Sequence, residues 1–324
     1  MKRSILAAAL AAAVIGLSGC AGQAGAAAPA ATASGGLTAI TVGVSPSTAS
    51  AAVYLAQQKE FAEQGLAVTT TTIQSGAEAI PQLLNGGLTF ALGDAAGTIT
   101  ASSNDIGITA TGVATVSPTD ASKDYSAIMT ANPAITSVAG LAGKTVAVNQ
   151  LKGIAQLTAA AAIDKQGGDS SKVQFVELAF PQMVDALTSG KVDAALIVEP
   201  FLSAAKAKGL TTVIAPQSYS VPGLPSTIFV ASTAYATANP DIVTRFNKAV
   251  GEAGARANAD TDLARQIAGT YTTISPDVLK VITLPTYAES AGDTSGMRKL
   301  VDLMNTYKFL DNQPDYDTLL VSGN

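Results

Sequence analysis

From Leu37 almost to the C-terminus, hydrophobic positions keep switching between a period of two and a period of three to four. Ile40, Val42 and Val44 alternate with polar or small neighbours and predict a short strand that stops at the polar turn 45–48. Ala51, Tyr54, Leu55, Phe61 and Ala62 then fall on one side of a helix, with Lys59, Glu60 and Glu63 on the other and Gly65 as its stop. The alternation continues as a strand over 66–72, a helix over 78–84, a strand over 88–92, a short helix after Asp94 and a strand over 106–113. A second series has strands over 144–148, 173–178 and 192–198, separated by helices over 152–165 and 181–187, the latter with proline in its first turn. Strands and helices alternating at this spacing predict an α/β protein with mostly parallel, helix-covered sheets. From Ala231 onward the pattern turns helical, with Asn239 and Pro240 as cap and first turn before Val243, Phe246, Val250 and Ala253. These last helices are expected to cover the first lobe.

The two series resemble each other locally. Gly86, Leu88, Ala91 and Leu92 match Gly190, Val192, Ala195 and Leu196 at identical offsets, and an acidic residue follows each strand, Asp94 and Glu199, one position out of step. Duplication and common helix-to-strand grammar both account for such a match. Two apolar segments, 125–129 and 227–230, are candidates for paired strands that cross between the lobes and act as a hinge. The expected division is lobe 1 from 37–126 plus 228–324, and lobe 2 from 127–227.

The N-terminus adds a compartment to this picture. Lys2 and Arg3 precede an apolar run over 5–17, and Leu17, Ser18 and Gly19 stand immediately before Cys20, the single cysteine of the 324-residue chain. This is the layout of a secretory leader over 1–19, too short to span a bilayer, that ends at a lipidation site. Acyl chains on Cys20 would anchor the mature protein at a membrane, whereas a cleaved leader with an incidental cysteine is the plainer alternative. Residues 20–36 are mostly Ala, Gly, Ser, Thr, Gln and Pro, a composition that cannot bury a core and is expected to form a flexible tether. The expected location is therefore the extracytoplasmic face of the cell membrane, in a periplasm or at the cell surface.

Removal of the leader leaves 305 of the 324 residues, more than one compact core usually carries, and changes the formal net charge from −5 to −7 as Lys2 and Arg3 are lost. That charge argues against a nucleic-acid partner. A lone cysteine rules out an intramolecular disulfide. The absence of histidine excludes a Ser/His/Asp triad, a Cys/His pair and a histidine zinc site. Carboxylate pairs or a Ser/Lys arrangement remain formally open, but no spacing singles one out, so no catalytic residue, metal site or cofactor is assigned.

Several stretches carry a family resemblance. They are Leu141, Ala142, Gly143 and Lys144 through Asn149; Phe180, Pro181 and Met183; and Gly190, Val192, Asp193, Ala194 and Ala195 leading to Glu199, Pro200 and Phe201. With Phe61, Glu63, Gly65 and Leu66 near the start, and Asn239, Pro240, Phe246, Ala249, Met304, Tyr307 and Leu310 near the end, their order and spacing resemble the nitrate/sulfonate/taurine group of ABC-transporter solute-binding proteins. The resemblance implies a type II periplasmic-binding-protein fold, with two α/β lobes joined by two crossover strands and a small solute bound between them. It also implies a monomeric receptor without a cofactor that serves an ABC permease, the ATPase being a separate partner because this chain has no P-loop. The implied solute is sulfonate-like, taurine-like or otherwise nitrogen-containing. Relatives on the same fold that make a thiamine pyrimidine leave a pyrimidine-precursor binder or an enzyme-like relative as the alternative, although those look dependent on a histidine and a cysteine-rich motif that this chain lacks. A surface lipoprotein that senses or adheres is a third reading.

Ligands of open parallel sheets sit outside the carboxyl ends of the strands, where helix amino termini present unpaired N–H groups. The strand-to-helix turns therefore supply the candidates. Ser45, Ser47 and Thr48 can cap the next helix or donate to a ligand, and Ser75 and Gly76, with Gln74, can bring backbone N–H groups to an anion or form an ordinary turn. Asp94 is a helix cap or a ligand contact. Asn149, Lys152 and Gly153 combine an amide, a cation and free N–H donors, although Lys152 can equally be solvated. Phe180 and Phe201 offer aromatic surface that core packing would also use. Glu199 matches the family's acidic position and is the strongest single candidate. A sulfonate or nitrate site would favour arginine forks, yet the chain after Arg3 has arginine only at 245, 256, 265 and 298, all in the C-terminal helical region. An amine-bearing zwitterion or neutral nitrogen heterocycle is at least as compatible with Asp94 and Glu199.

Overall fold

The computed structural model describes residues 36–73 and 76–321. The leader, Cys20, the tether as far as residue 35, and Ser75 lie outside the described residues. The first series contains β1 (Thr38–Val44), α1 (Ala51–Ala56), α2 (Glu60–Glu63), β2 (Leu66–Thr72), α3 (Gly76–Leu84), β3 (Phe90–Asp94), α4 (Ala95–Ser102) and β4 (Ile108–Val116). The second contains β5 (Ser126–Thr130), β6 (Thr145–Val148), α5 (Ile154–Lys165), β7 (Gln174–Glu177), α6 (Phe180–Thr188), β8 (Ala194–Val198), α7 (Phe201–Ala207), β9 (Thr211–Ile214) and α8 (Pro216–Ser220). The chain then returns through β10 (Pro225–Ser232), α9 (Thr233–Ala238), α10 (Pro240–Ala259), α11 (Thr261–Tyr271), α12 (Pro276–Val281), β11 (Thr286–Tyr287), α13 (Ser295–Thr306) and α14 (Tyr316–Leu319).

Two sheets result, ordered β2-β1-β3-β10-β4-β11 and β7-β6-β8-β5-β9. In the first, β1 pairs in parallel with β2 and β3, and β10 runs antiparallel between β3 and β4. In the second, β6 pairs in parallel with β7 and β8, and β5 runs antiparallel between β8 and β9. β5 and β10 are each the strand the chain enters directly after crossing from the other lobe. The fold implied by the resemblance, two α/β lobes joined by two crossovers, is the fold observed.

The crossing segments differ from expectation in one respect. Segments 125–129 and 227–230 do not pair with each other, because β5 and β10 are each flanked by two partners inside separate sheets and have no free edge left. The two passages meet instead at Ser117, whose N–H donates to the Leu224 carbonyl at 2.8 Å and whose carbonyl accepts from Gly223 N–H at 2.9 Å. The Thr115 and Ser226 hydroxyls, 2.9 Å apart, extend the contact.

Helix α10 closes the first lobe. Phe246 on its buried face stacks on Phe90 at 4.2 Å and on Phe61 at 5.7 Å, and meets Phe229 edge-on at 4.9 Å. Fully burying a side chain of this kind contributes about 2–3 kcal/mol. Gly254 lets α10 lie flush on the segment before α13: a Cβ there would stand 2.5 Å from the Ala288 carbonyl oxygen. The single helix expected over 51–63 is two, because a turn at 57–59 interrupts it and restarts the helical period. Glu60 consequently points inward, 1% exposed and paired with Arg256, rather than lying on the polar side.

Helix α5 sits between the lobes. Ala155, Ala159, Ala162 and Ile163 pack on the second sheet, whereas Leu157 is buried with Ile99 and Met297 in the first lobe's core. A helix apolar on several sides in this way has to be covered on several sides. Among the described residues no helix is long and apolar enough to cross a membrane.

Candidate functional site

Ser45, Asp94, Asn149 and Glu199 stand at the carboxyl ends of β1, β3, β6 and β8, and Asp94 and Glu199 reach the junction of the lobes. Asp94 ends β3 and caps α4, its Oδ1 accepting from Gly97 N–H at 2.8 Å. The same carboxylate crosses to the second lobe, where Ile154 N–H, the first of α5, donates to Oδ1 and Oδ2 at 3.2 Å each. Gly153, the residue at the cap position of α5, has no side chain to offer, so the cap of this helix comes from the other lobe. Gln150 reaches back in the opposite direction, with its Nε2 3.2 Å from where a Cβ on Gly97 would stand. Burial pushes the Asp94 carboxyl up to about 6, against the pull of its backbone N–H donors.

Glu199 repeats this arrangement from the other side. It is 4% exposed and accepts from Ser203 N–H at 3.0 Å and Ser203 Oγ at 2.9 Å, at the start of α7. It also accepts, at 3.4 Å, from the N–H of Thr283 in the first lobe, between α12 and β11. Each lobe thus extends one carboxylate to a backbone N–H of the other.

The turn after β1 is held by its own hydroxyls and by two tyrosines. Ser45 Oγ lies 2.8 Å from Ser47 Oγ, and Ser50 Oγ donates to the Ser45 carbonyl at 2.7 Å. Ser47 forms no side-chain cap bond, so capping does not occupy its hydroxyl. Tyr271 OH donates to the Ser47 carbonyl at 3.0 Å, and Tyr287 OH to the carbonyl of the buried Thr48 at 2.8 Å. The Tyr271 ring stacks on Tyr54 at 3.9 Å. Burial raises the phenol pKa of Tyr271, Tyr287 and the nearby Tyr125, which keeps all three as neutral hydrogen-bond groups. Neither Tyr271 nor Tyr287 was singled out in the sequence, and nothing local could have done so, since their contacts to the serine turn span more than 200 residues.

The remaining candidates are dispersed, mostly over the second lobe. Lys152, in the left-handed region at φ 56°, is about half exposed, and its Nζ lies 3.3 Å from Asp311 Oδ2 of the first lobe. Asn149 is partly buried, and its side-chain amide has no partner among the described residues. Phe180 and Phe201 open α6 and α7 as a near-parallel pair 6.4 Å apart, packed on the second lobe's core. Gly76 opens α3.

Among the described residues no guanidinium pairs with Asp94 or Glu199, although Arg265 donates to the Ile282 carbonyl, one residue before Thr283, and has a buried Nε without a partner. Arg245 pairs with Asp241, Arg256 with Glu60 and Arg265 with Asp262, while Arg298 lies 4.2 Å over the Tyr316 ring. Tyr307 OH donates to Asp164 at 2.9 Å and adds a further contact between the lobes. Among the described residues there is no cluster of three or more metal-ligating side chains. A polar cavity of about 420 Å³, bordered by Ser102, Asp105, Asn312 and Asp315, lies at the opposite end of α4.

Residues 47–264 match the protein-family model described as NMT1/THI5 like. By structure the chain is similar to the alkanesulfonate-binding protein SsuA from Xanthomonas axonopodis pv. citri bound to MOPS, with a TM-score of 0.70 and 18% identity over 88% of this chain and 98% of that one. It is likewise similar to the periplasmic aliphatic sulphonate binding protein SsuA from Escherichia coli, with a TM-score of 0.69 and 17% identity over 86% and 91% of the two chains. A ligand binding component of an ABC-type import system from Staphylococcus aureus, with zinc bound, gives a TM-score of 0.71 and 15% identity over 87% and 96%. Likeness at these identities establishes the fold. A comparison with curated protein sequences gives no match.

Proposed function

Since the chain belongs to the NMT1/THI5-like family, we propose that it is the solute receptor of an ABC importer. It captures a small organic solute between its lobes and delivers it to a permease powered by a separate ATPase. The observation that carries this reading is the meeting of strand ends and helix amino termini from two lobes at one junction, with Asp94 and Glu199 each reaching the opposite lobe. The proposed solute contacts come from the turns holding Ser45, Ser47 and Thr48; Ser75 and Gly76; Asp94; Asn149, Lys152 and Gly153; and Phe180, Glu199 and Phe201. The proposed protein is an exported monomer, lipid-anchored through Cys20, with 37–126 and 228–324 in lobe 1 and 127–227 in lobe 2.

The test is to identify the solute that copurifies with the protein and to titrate it back. A solute at a hundredfold excess over its Kd stabilises the folded receptor by about 2.7 kcal/mol, an upward shift of several degrees in Tm. Deleting the partner permease should abolish uptake of that solute. A panel of sulfonates, taurine, nitrate and pyrimidines that left Tm unchanged, with no solute eluting from the pure protein, would overturn the reading. Product formed from a metabolite mixture would instead favour the competing view of an enzyme on this fold, which would have to work without histidine.

A further inference from the structure

We propose that Asp94 is a tethered anion that occupies the amino terminus of α5 and so excludes free anions, sulfonates and sulfate among them, from the second lobe's side of the cleft. The proposal rests on the reading of the lobe junction as a solute site and narrows the solute to one that is neutral or cationic where it meets α5.

A helix amino terminus with unpaired N–H groups and no side-chain cap is a ready seat for an anion. The twelve-residue α5 has such a terminus, because Gly153 contributes no cap of its own. The seat is taken: Ile154 N–H is shared by both oxygens of Asp94. The carboxylate is also fixed from its own side, since Oδ1 accepts from Gly97 N–H and cannot swing away without uncapping α4. A free anion entering here would therefore meet a like charge instead of donors. Among the described residues no cation pairs with Asp94. The four arginines from 245 onward are engaged elsewhere, the Lys152 ammonium is paired with Asp311, and Glu199 adds a second carboxylate at the junction.

The experiment compares the wild-type protein with Asp94→Ser, whose hydroxyl can still cap α4 while the α5 terminus is vacated. Sodium methanesulfonate and sodium sulfate are titrated at constant ionic strength, by calorimetry and by thermal shift. Wild type should show no saturable binding into the millimolar range, and Asp94→Ser should bind at least tenfold more tightly than wild type. If Asp94→Ser fails to fold, Asp94→Asn, which keeps an acceptor but drops the charge, carries the comparison with the same expected sign. Micromolar binding of methanesulfonate by wild type overturns the proposal, and so does a folded variant that binds no better than wild type. Both readouts use simple anions and are independent of whether a physiological solute copurifies, so failure here is distinct from failure of the receptor reading.

Discussion

Replacing Asp94 by asparagine should flatten the dependence of stability on pH between 7 and 4.5. Burial pushes this carboxyl up from 3.8 to about 6, so the native protein binds its proton more tightly than the unfolded chain does. Stabilisation from such a group is complete below pH 3.8 and is lost as the pH rises through 6. A difference of roughly two units corresponds to about 3 kcal/mol in full. About 2 kcal/mol of that falls between pH 7 and pH 4.5. The other shifted carboxylates leave this window clear. Asp120, Asp169 and Asp293 are held below 3.8 chiefly by hydrogen bonds from Ser122, Ser171 and Ser295, so their contributions persist above 3.8 and are lost only at lower pH. Asparagine keeps one oxygen for Gly97 or Ile154 N–H and removes the titration, and the loss of its second acceptor is the same at every pH. Urea unfolding of both proteins at pH 7, 5.5 and 4.5 provides the measurement. The stability of wild type relative to Asp94→Asn should increase by about 2 kcal/mol on acidification. A change below about 0.5 kcal/mol, or one of opposite sign, would refute the argument that desolvation governs this carboxylate.

Other perturbations test the packing, the caps and the anchor. Arg256→Met should cost about 2–3 kcal/mol in urea unfolding, because it leaves the 1% exposed Glu60 charge only the half-exposed Lys59 at 3.9 Å, and Glu60→Gln in the same background should restore part of it. Phe246→Ala should cost about 3–5 kcal/mol, because the ring touches Phe61, Phe90 and Phe229 at once and the site cannot collapse around it. Glu199→Asp should lose about 1 kcal/mol as α7 loses its cap, along with most of the solute-induced shift in Tm. An exported, soluble Cys20→Ala protein should bind solute as wild type does but support less uptake at equal expression, since tethering raises the local concentration beside the permease.

The parts of the fold that depend on neighbouring residues were legible in the sequence. Alternation marked β1, where Ile40, Val42 and Val44 are buried, and the pairing of Asn239 with Pro240 marked the start of α10. Asp94 was readable as a helix cap because its first partner, Gly97, is three residues away. Its second partner, Ile154, is sixty residues away in the other lobe, and no local pattern encodes that contact. The same limit hid Tyr271 and Tyr287, which reach the serine turn from positions 224 and 239 residues further along the chain. Strand β11 escaped notice for another reason: two residues are too few for a period to emerge. Glu60 looked solvated because an unbroken helix would have placed it beside Lys59 and Glu63, and the turn at 57–59 removed that phase relation.

The repeat between the two series gains physical content from the structure. Gly86 and Gly190 both take the left-handed conformation just after a helix, and the equivalent alanines hold equivalent registers, Ala91 opposite Gly43 and Ala195 opposite Ala147. The sheets share one strand order as far as the strand after each crossover, which local helix-to-strand grammar alone does not require. The single mismatch, Asp94 three residues beyond its alanine and Glu199 four, is absorbed by side-chain length. Asp94 accepts from Gly97, the third residue of α4, and Glu199 accepts from Ser203, the third residue of α7. One extra backbone step is met by one extra methylene, so both carboxylates arrive at the same position on their own helices with oxygen left over for the opposite lobe. Each of the two α/β halves carries an acid that caps its own helix and reaches across, so the lobes meet through matching carboxylate contacts.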